Sequence, residues 1–227
     1  MAELILPGEP PIRIRSRALA GARRITLRVG AADGVVTLTR PRGLPESKAL
    51  AFVRAREGWL RETLAAQPAR VAVGPGVLVP VEGAPRPVLE GAARARLGAD
   101  GLHVPARRAG PAAAALLKAL ARDRLAAAAD RHAAALGVAW GPLALRDPRG
   151  RWGSCSTAGR LMFSWRLAMA PPGVLDYVAA HEVAHRVRMD HSPAFWAVVA
   201  RLRPDWREAR DWLDVEGPGL HRFRFDP

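Results

Sequence analysis

Apolar and basic positions alternate along the start of the chain. In IRIRSR from Ile12, RRITLRV from Arg23 and GVVTLTRP from Gly34 the period is two, and glycines and prolines separate the runs. This is the pattern of half-buried strands in a small antiparallel sheet. Between Pro45 and Leu64 the spacing lengthens: Leu50, Phe52, Val53, Trp59, Leu60 and Leu64 fall largely three, four and seven apart, which predicts a helix with Trp59 in its core face. Strand-like pieces return in VAVGPGVLVPV and RPVLEG. A polar, glycine-containing stretch from Gly98 to Gly110 then offers a soft boundary near residue 110. Ala112 to Leu136 reads as one long amphipathic helix, ended by Gly137 as a left-handed cap. Beyond it come WGPLALRD, the turn PRGRWGSCS, a strand in LMFSWRL and a helix in PPGVLDYVAAHEVAH. The order predicts an α+β fold, with a β-rich region over 1–110 and a mainly helical region with a small flanking sheet over 111–227, able to form one continuous domain.

With 227 residues, 49% of them hydrophobic and 25% charged, the chain is long enough to bury a core and belongs with folded globular proteins. Its longest apolar stretch is crossed by Lys118, Arg122, Asp123, Arg124, Asp130 and Arg131, so no membrane span is expected. The single cysteine, Cys155, has no partner for an internal disulfide, and MAELILPGEP lacks the basic start and apolar run of a signal peptide. A cytoplasmic location is the expectation. A net charge of +14 would attract polyanions. The excess is nearly all arginine in an alanine-rich chain, as GC-rich coding tends to produce, and this simpler origin makes nucleic acid the less favoured partner. If it is one, the docking surface would be Arg13, Arg15 and Arg17 with Arg24 and Arg28 on a neighbouring strand.

Three of the six histidines lie within eleven positions, in AAHEVAHRVRMDHSPAFW, Ala179 to Trp196. Pro171 and Pro172 suit the first turn of a helix, on which residues four apart share a face, so His181 and His185 can hold one metal ion together. Glu182 sits about a third of a turn round, where its carboxylate reaches a water on that metal without being a ligand. His191 would lie about 120° off the ligand face of a continuing helix, so the helix must stop first. Asp190 can take the left-handed conformation, Ser192 is a good N-cap, and Pro193 suits the start of a new helix carrying Phe195, Trp196, Val198 and Val199. The break lets His191 complete a three-histidine zinc site, one ion per chain, with its fourth position open. Two histidines four apart also arise by chance as exposed or core-satisfied side chains; the third, at a helix break, weighs against that.

The segment Arg151 to Trp196, with RWGSCS, DYVAAHEVAH and HSPAFW, resembles the YgjP-like predicted metal-dependent hydrolases, and the later histidine followed by an aromatic is similar to the SprT-like and WLM proteases. The resemblance implies a zincin-like metallopeptidase part, with His181, His185 and His191 on zinc and Glu182 as general base on zinc-bound water, acting on a protein or peptide. Members of the family commonly have an asparagine in the strand before the active helix, where this chain has Ser164; a contact through that amide is not available here, but backbone contacts can survive and Ser164 remains a candidate substrate contact.

A hydrolase also needs a donor for its oxyanion. Arg149 and Arg151 in the turn, and Tyr177 one helical turn before His181, are candidates, and each has an ordinary alternative as a solvated or packed side chain. Cys155 is more readily a small buried hydrophobe than a fourth ligand, because a closed site would be inert. The LMFSWRL strand could accept an extended peptide by strand addition. Two rival functions use the same residues: a metal-dependent nucleotide phosphohydrolase, and a nucleic-acid-binding protein with a structural zinc. The first normally relies on carboxylate-rich magnesium sites and the second on cysteine-rich closed ones.

Overall fold

The computed structural model describes residues 2–30, 34–67 and 69–226 and divides into two compact units, Met1–Ala69 and Arg70–Pro227.

In the first unit the alternating runs form β1 (Ala2–Leu6), β2 (Ile12–Leu19), β3 (Thr26–Val29) and β4 (Val36–Pro41), arranged β1-β2-β4-β3. The outer ladders are antiparallel as expected, but β2 and β4 run parallel. The reason is topological: β3 and β4 form a hairpin, and β4 rather than β3 takes the place beside β2, so two reversals restore the direction. The period of two is real. Ile12, Ile14 and Ser16 are buried while Arg13, Arg15 and Arg17 face solvent. Arg28 stands in register with Arg15 across Thr37 and shares that face, whereas Arg24 precedes β3.

The expected single helix is two, α1 (Glu46–Arg54) and α2 (Glu57–Ala65), because Arg56 leaves the helical conformation at φ −121°. The break resets the phase of the apolar stripe. Leu60 is therefore fully buried against β-strand residues such as Ile14 and Leu38, while Trp59, expected in the core, is 47% exposed.

The second unit opens with β5 (Val71–Ala72), β6 (Leu78–Val81), β7 (Ala84–Glu90), β8 (Arg96–Leu97) and β9 (Leu102–Val104), the last four ordered β6-β7-β9-β8. Then comes α3 (Ala109–Leu136), capped by Gly137 at φ 65° as its sequence implies. Strands β10 (Leu143–Arg146), β11 (Gly153–Cys155) and β12 (Leu161–Ser164) make a sheet with β12 in the middle, and α4 (Pro172–Ala184), α5 (Pro193–Leu202) and α6 (Trp206–Val215) follow. The short β13 (Phe223–Arg224) returns to pair with β5. Val79, Val88, Leu102 and Val104 share one core with Leu117, Leu125, Phe163 and Phe195. That shared core puts the division of the chain at 69/70 rather than near 110, since the polar stretch before Gly110 only links elements that bury together.

Two local readings change. PRGRWGSCS is not all turn, since Gly153–Cys155 is a strand, and LMFSWRL is strand only as far as Ser164. A 3-10 turn takes over at Trp165–Met169, where the Ser164 hydroxyl accepts the N–H of Arg166 at 3.4 Å. Buried Arg166 then finds a full set of acceptors: both oxygens of Asp147 at 2.7 and 3.0 Å, and the carbonyls of Leu220 and Phe223 at 2.8 and 3.1 Å. A buried guanidinium is tolerable only when so satisfied. Among the described residues no helix is long and apolar enough to cross a membrane.

Candidate metal centre and active site

Helix α4 is apolar nearly all round because α3, α5, α6 and β11 enclose it. Its last turn carries His181 and Glu182, and His185 is the cap residue, so the helix ends before the third histidine, as the spacing requires. Asp190 does not provide the break through a left-handed backbone; Glu82 is the single described non-glycine residue with positive φ. The Asp190 carboxylate instead accepts from the Ser192 N–H at 3.3 Å and hydroxyl at 2.8 Å, shaping the turn through the side chain. The Ser192 hydroxyl in turn caps α5 by accepting the Phe195 N–H at 3.5 Å.

His191 thereby swings back, and its Nε2 lies 3.2 Å from Nε2 of His181. One ligand atom from each of His181, His185 and His191 can be chosen so that all lie within 4.8 Å of one another. His185 donates its Nδ1 proton to the Arg188 carbonyl at 2.9 Å, which leaves Nε2 unprotonated. Phe195 stacks on His185 at 4.5 Å and meets His181 edge-on at 4.9 Å, and Trp196 closes the other side of His181. Residues that the helical pattern assigns only to packing thus wall the histidines.

Burial pushes His181 down to about 3, helped by the neighbouring His185, His191 and Arg210, and burial also lowers His185. Both are neutral at physiological pH, as metal ligation demands. The two Nε2 atoms that meet across 3.2 Å are close enough together for one cation to take both as ligands. Nδ1 of His181 is buried without a hydrogen-bond partner among the described residues. The three-histidine group therefore fits a metal.

Glu182 is 5% exposed, and burial pushes its carboxyl up to about 8 against the lowering effect of Arg151. Its carboxyl lies directly against β11. A methyl group at Gly153 would stand 2.5 Å from Glu182 Oε1 and 2.8 Å from Cδ, closer than atoms can approach. The backbone of β11 alternates: Trp152 accepts from the Ser164 N–H at 2.8 Å and Ser156 donates to the Arg160 carbonyl at 3.0 Å. Even-numbered residues thus face β12, and the N–H and C=O groups of Gly153 and Cys155 point to the open edge. β12 is paired on both sides, so an added peptide strand cannot join it as the sequence suggests; the free edge is β11.

Beside Glu182 and His181 lies a hollow of about 230 Å³ lined by Arg151, Trp152, Gly153, Tyr177 and Val178, with Arg210, Leu213 and Asp214 from α6. Tyr177 is 5% exposed with its ring 6.0 Å from that of His181, and burial pushes its hydroxyl up to about 12, keeping it a donor. Arg149 is elsewhere, in a separate cavity with Lys118, Asp147 and Arg166. Ser164 is fully buried and used as a cap, so its hydroxyl is not open to a substrate. Cys155 donates to the Ser156 carbonyl at 3.3 Å and stands outside the histidine group, and burial raises its thiol. Arg210, Asp214 and Gly153 escape the sequence reading. The first two look like a solvated face of α6, while a glycine within a strand is a signal that could have marked Gly153.

One further contact holds this arrangement together. Asp176 of α4 accepts from Arg131 at 2.8 Å and His132 at 3.1 Å of α3, and from Arg203 at the end of α5. Burial would raise its carboxyl, but the hydrogen bonds from His132 and Arg203 outweigh burial and hold it well below the usual carboxylate range. A depressed carboxylate contributes stability above its unfolded value near 4 and loses it as pH falls through the folded value. Asp176→Asn should therefore lower the unfolding free energy by about 2–3 kcal/mol at pH 7, less than for a fully buried pair because Arg131 is largely exposed. Denaturant titrations should show the gap narrowing below about pH 4; a gap unchanged down to pH 3 would show that the charge is not what stabilises.

In comparisons with known proteins, the family model of the YgjP-like metallopeptidase domain matches residues 23–216. No curated protein and no solved structure matches the chain.

Proposed function

The chain belongs to the YgjP-like metallopeptidase family, and from that premise we propose that it is a zinc-dependent peptidase in which Glu182 is the general base. The observation that carries this reading is the position of Glu182. Its carboxyl is buried beside three converging imidazoles and pressed against β11, an edge strand of its sheet.

His181, His185 and His191 would hold the ion; three neutral imidazoles suit zinc, which would supply Lewis-acid polarisation of water and of the scissile carbonyl. A substrate backbone added to β11 would exchange hydrogen bonds with Gly153 and Cys155 and run past Glu182. Glu182 takes a proton from the attacking water and passes it to the leaving nitrogen. Holding the proton near neutrality, as burial arranges, makes both transfers accessible. The Tyr177 hydroxyl, protonated and in the same hollow, donates to the developing oxyanion. The metal-binding group contains no carboxylate among the described residues, which favours this reading over a magnesium-type phosphohydrolase.

Purified protein should contain close to one equivalent of zinc per chain, and His181→Ala, His185→Ala and His191→Ala should each lose most of it. Elemental analysis on folded variants decides this, and full retention in any one removes that residue from the ligand set.

A further inference from the structure

We propose that Arg151 and Arg210 form a carboxylate-binding subsite beside the reactive centre, so that the enzyme selects substrates carrying a carboxylate next to the scissile bond. The inference rests on the peptidase reading for its meaning but not for its binding test. The two guanidinium groups come from elements far apart in sequence, the segment leading into β11 and the middle of α6, and both line the hollow that holds His181 and Glu182.

Neither Arg151 nor Arg210 has a carboxylate within ion-pair distance among the described residues, and each is exposed. By contrast, four arginines of the unit are held in ion pairs: Arg131 and Arg203 with Asp176, Arg166 with Asp147, Arg124 with Glu82. Asp214 lies one helical turn after Arg210 and lines the same hollow without an ion pair to it, so the exposed charged groups there are two arginines and one aspartate. Arg210 is also held in place. Its guanidinium carbon lies 5.4 Å from the centre of the Trp196 ring, and Trp196 is stacked at 4.4 Å on Trp206. Tyr177, Val178 and Leu213, each less than a tenth exposed, supply much of the hollow's lining and lower its polarity. Two forked donors beside this lining match a carboxylate and disfavour a cation. That carboxylate can be an aspartyl or glutamyl side chain or the C-terminus of the chain.

The test uses acetylated, amidated peptides differing only in Glu, Gln or Lys at one position, and the Glu-free peptide with its C-terminus unblocked. Binding is measured to zinc-loaded and to metal-free Glu182→Gln protein, and cleavage with the wild type. We expect at least tenfold preference for Glu over Gln in both readouts, retained without metal, so that it cannot be a bond to the ion. Arg210→Gln should remove the preference and Arg210→Glu should turn it towards Lys. A preference confined to the unblocked peptide assigns the subsite to the chain terminus. Equal binding of the Glu, Gln and unblocked peptides, or a preference untouched by Arg210→Gln and Arg151→Gln, overturns the proposal. If a carboxylate preference in binding depends on Arg210 but no peptide is cleaved, the subsite stands and the peptidase reading falls.

Discussion

Glu182→Gln should keep the fold and the metal while losing peptide hydrolysis by three orders of magnitude or more. The substitution preserves shape and volume, and burial already favours an uncharged side chain at this place, so packing has little to lose. What disappears is the proton shuttle: an amide neither accepts the proton of the attacking water nor delivers one to the leaving nitrogen. Proton transfer by a positioned group contributes about 10²–10⁴ in rate, and in the proposed mechanism Glu182 performs it twice. Metal content, thermal unfolding and turnover of one peptide, compared between the two proteins, separate the outcomes. Loss of the ion would make Glu182 a ligand; an unchanged rate would remove it from the chemistry.

A second large effect is expected at Gly153, which has no side chain to take part in the chemistry. Because an added methyl would stand 2.5 Å from Glu182 Oε1, Gly153→Ala must push the carboxyl away from β11. Displacement by about 1 Å at a reacting group costs on the order of 10² in rate, and overpacking should cost about 1–3 kcal/mol of stability. The discriminating measurement is the double variant Gly153→Ala with Glu182→Asp, whose shorter side chain makes room for the methyl. If Gly153 positions the base, the double variant should outperform Glu182→Asp alone in kcat while both keep their zinc. If adding the methyl to Glu182→Asp only lowers activity further, Gly153 serves the strand and not the carboxyl.

The metal group was legible in the sequence because its geometry is local. Four residues make one helical turn, so His181 and His185 share a face wherever α4 is packed, and Ser192 with Pro193 marks the new helix that turns His191 back. The strands of the first unit were legible for the same reason, since a period of two needs only one buried face. Their partners were not: that β4, and not β3, lies beside β2 is a matter of tertiary pairing, and alternation is the same in either case.

The surroundings of the site were decided by packing. No spacing relates Arg210 to Arg151, or Gly153 to Glu182; α6 folding over α4, and β11 pairing with β12 from one side, bring them together. Packing also withdrew residues that the sequence offered. Ser164 became a buried cap once the chain turned into its 3-10 segment, and Arg149 was carried to another cavity. The sequence by itself therefore determined which side chains can hold a metal and which carboxylate follows the first of them. Only the tertiary structure decided which strand edge meets them and which charges stand beside them, because helical and strand periodicities act over a few residues while a concave surface is built from elements that meet only when the core closes.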